Sequence, residues 1–193
     1  MVDPVSALGG ALFEGAGLKI SEQPPRTMIT LKGDLRDVNF KNAATGIAAV
    51  DFPALGEAKC AGEKGLLWMA PDELMVMAPR DEQSSAVEKI EKTLNGTHFM
   101  AAVVSDARSV FLIEGDGTKV REVLAKLSPA DVHPDRFKTG MFRRTRLAQV
   151  PGAFWMRDEN AAEIMVFRSV AEYVFELLRT SASGGHVGHF PSP

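Results

Sequence analysis

The chain has 193 residues, of which 45% are hydrophobic and 24% charged, and its formal net charge is −3. That length lets one medium domain, or two small intimate ones, bury roughly 70% of the unfolded surface, so neither a disulfide nor a metal is needed to hold a core. The composition is that of an ordinary globular protein, and the negative balance argues against general binding of nucleic acid.

The single cysteine, Cys60, can form neither an internal bridge nor a Cys-x-x-Cys site, which fits a reducing compartment, and it reads as a small buried apolar group. Asp3 and Glu14 stand where a signal peptide would be basic, and Gly9-Gly10 breaks the apolar stretch from Val5 to Phe13. Neither a signal peptide nor a membrane span is expected, and the expected location is cytoplasmic.

Residues 1–26 are rich in Gly, Ala and Pro without a sustained period, an arm that either wraps its own domain or lies along another subunit. Thr27 to Leu31 alternates as a half-buried strand ending at Gly33, and Asp34 or Asp37 can cap a helix carrying Val38, Ala44, Ile47 and Ala48. Two apolar runs, Gly65 to Ala70 and Glu73 to Ala78, flank Pro71-Asp72 as a hairpin. Both are apolar at nearly every position, so helices should cover both faces of their sheet. Asp81 to Asn95 places Val87, Ile90 and Leu94 at helical spacing.

Val103 to Lys126 is a seam: a strand ends, a turn follows at Asp106-Ala107, a second strand begins, and Gly115-Asp116-Gly117 opens a helix. In that helix Val120, Val123, Leu124 and Leu127 form the apolar stripe, with Arg121, Glu122 and Lys126 outside it. Ser128 to Met141 is a long irregular connection, of the kind that in compact domains is functional or disordered. Phe142 to Val150 and Phe154 to Arg157 read as strands around a Pro151-Gly152 turn, followed by a strand over Ala162 to Phe167. Ser169 and Glu172 form a capping box for a last helix, and a Gly/Ser/Pro-rich tail from Ser181 is expected to be mobile.

Two echoes cross the seam. Leu31-Lys32-Gly33-Asp34 is matched by Ile113-Glu114-Gly115-Asp116, and Trp68-Met69 before Glu73 to Met77 is matched by Trp155-Met156 before Glu163 to Phe167. The fold class expected is therefore α+β, with two similar strand-helix-hairpin-helix halves sharing one core. The boundaries are an arm at 1–26, one domain of two pseudo-repeats at 27–105 and 106–180, and a flexible tail at 181–193.

Catalytic constellations are hard to find. His186 and His189 sit three apart in the tail without a third ligand, and no phosphate loop or Gly-x-Ser-x-Gly elbow occurs. Asp106, Asp116, Asp131, Asp135 and Asp158 all fall at turns, where backbone geometry alone favours Asp. The cationic group Lys138, Arg143, Arg144, Arg146 stands out: on a strand, Arg144 and Arg146 share one face and Arg143 takes the other. Such a row can grip carboxylates or phosphates, blunt an edge strand against aggregation, or dock on an acidic neighbouring subunit. With the loop residues His133 and Arg136, Arg143, Arg144 and Arg146 are the interface candidates; no catalytic, cofactor-binding or metal-binding residue is expected.

Val104-Ser105-Asp106-Ala107-Arg108-Ser109, the Leu127 to Pro134 segment, Arg144-Thr145-Arg146-Leu147-Ala148-Gln149-Val150 and Arg168-Ser169-Val170-Ala171-Glu172-Tyr173, with Leu67-Trp68-Met69-Ala70-Pro71-Asp72-Glu73 in the first half, resemble the gamma subunit of heterotetrameric sarcosine oxidase. The likeness runs from about Thr27 to Arg179 and rests on order and spacing. It implies a fold like the folate-binding domain of the glycine-cleavage aminomethyltransferase, and a structural or assembly role beside alpha, beta and delta subunits. The complex implied oxidises sarcosine to glycine with hydrogen peroxide and a one-carbon unit, formaldehyde or methylenetetrahydrofolate. Its FAD, FMN, NAD and tetrahydrofolate are implied to lie in the partner subunits, with none in this chain. The resemblance puts a Gly-rich turn and carboxylate pair where Pro151-Gly152-Ala153-Phe154-Trp155-Met156 stands without an acid, so folate binding is not expected. The alternative is a free-standing folate-binding aminomethyltransferase-like protein.

Overall fold

The computed structural model describes residues 5–185, 188 and 190. In chain order the elements are β1 (Leu12–Gly15), β2 (Leu18–Glu22), β3 (Thr27–Lys32), α1 (Val38–Ala48), β4 (Ala58–Ala61), β5 (Lys64–Ala70), β6 (Glu73–Ala78), α2 (Gln83–Thr93), β7 (Met100–Val103), β8 (Arg108–Gly115), α3 (Gly117–Leu127), β9 (Phe142–Leu147), β10 (Val150–Asp158), β11 (Ala161–Phe167) and α4 (Ala171–Ser183). The chain divides into two compact units, one of Arg26–Ser105 and one combining the described residues of Met1–Pro25 and Asp106–Pro193.

The first unit is an antiparallel sheet in the order β4-β5-β6-β3-β7. Ile29, Leu66, Leu74 and Val76 project from one face into a cluster with Phe40, Ala44 and Ile47 of α1 and Ala86 and Ile90 of α2. Met28, Leu67, Met75 and Met77 alternate with them and are also buried, as unbroken apolar runs require. The helices therefore lie on the face bearing Ile29 and Val76, where helices on both faces were expected. Asp37 is the cap of α1, its carboxylate accepting from the Asn39 and Phe40 amides. Asp34 instead accepts from the backbone and side chain of Arg36.

The second unit is an antiparallel sheet in the order β1-β2-β8-β11-β10-β9. Its cluster joins Ile20, Phe111, Ile113, Phe154 and Ile164 of the sheet to Val120 and Leu124 of α3 and Val174 and Leu178 of α4. The units repeat one plan: β4-β5-β6-β3 in the first corresponds to β9-β10-β11-β8 in the second, with a helix after β3 or β8 and another after β6 or β11. Beyond the matching central strand stands β7 in the first unit and β2, from the other end of the chain, in the second.

The arm enters the sheet as a hairpin. Ala16 and Gly17 both have positive φ, 54° and 76°, the turn type that suits a two-residue hairpin, and β2 then pairs with β8. Gly115 marks the crossing: its φ is 149°, and a Cβ there would lie 2.4 Å from the Gly17 carbonyl oxygen. The carboxylate of Glu22 accepts from the amides of Leu8 (3.1 Å) and Gly10 (2.9 Å) and from Ser109 Oγ (3.3 Å), which ties the preceding residues down.

Three local expectations are corrected. The β9–β10 turn is Ala148-Gln149, and Pro151 and Gly152 lie inside β10. Leu147 pairs with Val150, so Pro151 falls opposite Arg146 at a position where a two-residue hairpin requires no amide donor. Ser169 does not cap α4; a short 3-10 turn over Arg168–Val170 leads into the helix, and neither has a side-chain cap. Cys60 is half-buried in the edge strand β4 rather than fully buried. In the tail, α4 runs on to Ser183, and Phe190 packs in the core cluster at 5% exposure. His186 and His189 lie outside the described residues.

Candidate functional site

The irregular segment from Ser128 to Met141 is a loop, and what holds it is a buried cation. Arg121 on α3 is 5% exposed, and its Nη1 donates to the carbonyl oxygens of Val132 at 2.8 Å and Phe137 at 2.7 Å. Val132 and Phe137 themselves sit in the core cluster, so the loop is anchored at two side chains and two carbonyls. Arg121 and Glu122 lie outside the apolar stripe of the helix, yet both are buried. Burial pushes the Arg121 guanidinium down from its usual value, and Glu159 opposes that shift. The guanidinium stays charged, with N–H groups to spare for loop carbonyls.

Between these anchors the candidate residues emerge. His133 is half-buried, its Nδ1 accepting from the Asp135 amide at 3.3 Å and its ring 6.0 Å from that of Phe190. The Arg136 side chain is exposed. Arg143, on β9, lies over the Phe137 ring at 5.1 Å and donates from Nη1 to the Phe142 carbonyl oxygen at 2.9 Å. Arg144 and Arg146 are exposed, and their side chains make no hydrogen bond or ion pair among the described residues. Loop and strand therefore meet at Phe137 and Arg143. Arg121, which organises the loop, escapes a reading by polarity because it sits beside the apolar stripe without belonging to it. The signal that could have found it is the long loop itself, whose carbonyls need donors.

Two clefts flank this segment. One of about 330 Å³ is lined by Ser128, Asp131, His133 and Phe190, and one of about 660 Å³ by Asp116, Thr118, Arg121, Lys138, Glu159 and Asn160. In the larger, two amides at the start of α3 already have acceptors: Asn160 Oδ1 accepts from the Gly117 amide at 3.2 Å and Asp116 from the Lys119 amide at 3.1 Å. Asp131 and Asp158 accept from amides two residues on, the turn role read for them. Among the described residues no group of three or more His, Cys, Asp or Glu could hold a metal, and no helix is long and apolar enough to cross a membrane. Ala153 to Met156 are buried side chains within β10 and include no carboxylate.

Comparison with known proteins finds that the profile of the sarcosine oxidase, gamma subunit family matches residues 32–184. The sarcosine oxidase subunit gamma of Corynebacterium sp. (strain U-96) is 30% identical over 139 residues, spanning 70% of this chain and 64% of the relative. That of an Arthrobacter species is 32% identical over 108 residues, 55% of this chain and 51% of the relative. The chain thus matches less than two thirds of the length of these relatives. A chain of the heterotetrameric sarcosine oxidase from Corynebacterium sp. U-96 superimposes with a TM-score of 0.78 at 23% identity, covering 93% of this chain and 91% of that one. The aminomethyltransferase T of the glycine cleavage system from Bartonella henselae superimposes with a TM-score of 0.58 at 14% identity, over 88% of this chain and 53% of that one. Both share the fold.

Proposed function

The chain belongs to the sarcosine oxidase gamma subunit family, and from that premise we propose that it is a non-catalytic assembly subunit of a cytoplasmic, heterotetrameric sarcosine oxidase. Its partners in this reading are the alpha, beta and delta subunits, which hold FAD, FMN, NAD and tetrahydrofolate. The complex oxidatively demethylates sarcosine to glycine with oxygen as acceptor, yielding hydrogen peroxide and a one-carbon unit. The observation that carries the reading is the family match across residues 32–184, which takes in every described element from α1 to α4.

The surface assigned to the partners is His133, Arg136, Arg143, Arg144 and Arg146. It is supported by a loop that Arg121 holds at Val132 and Phe137, with Arg136 exposed on it, and by the exposed side chains of Arg144 and Arg146 on β9. A rim of that kind steers an acidic partner and fixes orientation more than it adds affinity. The test compares material captured from native cells through a tag on this chain with the same chain purified alone. Captured material should be yellow and should produce peroxide when given sarcosine, while the isolated chain should be colourless and inactive. An isolated chain that binds flavin stoichiometrically and oxidises sarcosine would overturn the reading, as would captured material lacking both colour and activity.

A further inference from the structure

We infer that the free edge of β9 takes up an extended acidic segment of a partner subunit as an added β-strand, with two carboxylates spaced two residues apart on Arg144 and Arg146. This rests on the assembly role proposed above and specifies how the docking is made.

The backbone carries the first half of the argument. β9 is the last strand of its sheet, paired on one side only, with β10. Antiparallel pairing alternates between residues whose amide and carbonyl face the neighbour and residues whose groups face away. The two-residue turn is closed by Leu147 and Val150, and at the other end the Met156 amide donates to the Met141 carbonyl oxygen. Odd-numbered residues of β9 therefore face β10, and Phe142, Arg144 and Arg146 turn their backbone groups outward. Two contacts agree with this assignment. Pro151, which has no amide to give, stands opposite Arg146, and the outward Phe142 carbonyl oxygen is met at 2.9 Å by Arg143 Nη1. The guanidinium of Arg143 closes one end of the edge, leaving the amides and carbonyls of Arg144 and Arg146 open to another strand.

The side chains carry the second half. Arg144 and Arg146 project from the same face as one another, about 6.7 Å apart along the strand. A strand laid against β9 would hold its own alternate side chains at that same repeat, directly opposite. Carboxylates at two positions with one residue between them meet both guanidinium groups, in the bidentate geometry arginine favours.

The repeated fold supplies an internal control. The counterpart of β9 in the first unit is β4, also an edge strand, but it has four residues where β9 has six, and its Lys59 pairs with Glu57 at 3.1 Å. That edge is short and neutralised by its own chain. The edge of β9 is longer, and its two arginines have no carboxylate among the described residues. A second copy of β9 is a poor occupant, because pairing the two edges would set like charges against one another.

The experiment is hydrogen exchange over residues 142–147, on the full chain alone and on the assembled complex. The amides of residues facing β10 should be slow in both samples. Those of Arg144 and Arg146 should be fast in the isolated chain and slow by at least about tenfold in the complex. Arg144→Glu with Arg146→Glu should weaken assembly by at least about tenfold while leaving the thermal midpoint of the isolated chain unchanged. Fast exchange at both amides within a complex that is flavin-bearing and active would overturn strand addition and leave the assembly role standing. Protection of the same amides in a homodimer of the isolated chain would overturn the assignment of an acidic partner. Captured material without flavin or activity would instead reject the assembly role itself.

Discussion

Arg121 Nη1 lies 2.7 Å from the carbonyl oxygen of Phe137, and the same nitrogen reaches Val132 at 2.8 Å. One buried cation thus fixes both ends of the exposed stretch that carries His133 and Arg136. Replacing Arg121 with Leu removes both donors and leaves two carbonyls unmet, at a cost of about 2–3 kcal/mol. A lower thermal midpoint is expected, together with faster proteolytic cleavage between residues 133 and 139. Cleavage at the wild-type rate would mean that Val132 and Phe137 hold the loop by packing alone.

The Arg36 side chain, and then its backbone amide, hold the Asp34 carboxyl at about 2, below its ordinary 3.8. A depressed carboxylate pKa stabilises the fold above the unfolded value and loses that contribution as pH falls from about 4 towards 2. Arg36→Ala removes the larger cause and keeps the amide, so the Asp34 pKa should rise part of the way towards 3.8. A carboxyl-carbon titration by NMR reads this directly.

Two substitutions in α1 should stabilise the protein through opposite changes. Ala49 ends the helix at φ 52° and ψ 34°, a left-handed position where glycine avoids a steric cost. Gly46 lies inside the helix, exposed, with nothing within 4 Å of where a Cβ would stand. Ala49→Gly and Gly46→Ala should each add about 0.5–1 kcal/mol. The denaturation midpoint should rise with an unchanged slope in each case.

The Glu22 carboxylate gathers Leu8, Gly10 and Ser109 in the second unit. Glu22→Ala should release the residues before β1 while β8 stays paired, at a cost of about 2 kcal/mol. Hydrogen exchange should show the Leu8 and Gly10 amides losing protection and the amides of β8 keeping theirs. Joint loss at both places would place Glu22 in the sheet's stability as a whole.

The repeat is legible in the sequence because its marks are backbone requirements. Gly115 must be glycine where β2 crosses β8, whereas the Trp-Met echo is one residue out of register: counted from the turns, Trp68 of β5, opposite Leu74, corresponds to Met156 of β10, opposite Ala162. The same residues that flag turns also mislead: Pro151-Gly152 looks like a hairpin turn, yet Pro151 sits within a strand because its partner requires no donor there. Ala148, with φ 50°, makes the turn instead and carries no turn signal.

The arm is harder still to read. β1 is short and half-exposed, β2 alternates with Leu18, Ile20 and Glu22 buried but is only five residues long, and the place of both is decided by β8 far along the chain. At the candidate site, the arginine row and its two faces follow from strand alternation. The buried state of Arg121 does not, because periodicity registers the polarity of a side chain and not the carbonyls it will meet.

The hairpin made by Leu12 to Glu22 finds its sheet partner only at Arg108–Gly115, after the whole of Arg26–Ser105. On the ribosome this imposes an order: the first unit is contiguous and can complete itself, while Leu18 and Ile20, buried in the finished protein, wait uncovered until β8 emerges. A chain interrupted before β8 would leave an apolar strand edge open to chaperones or to neighbouring chains.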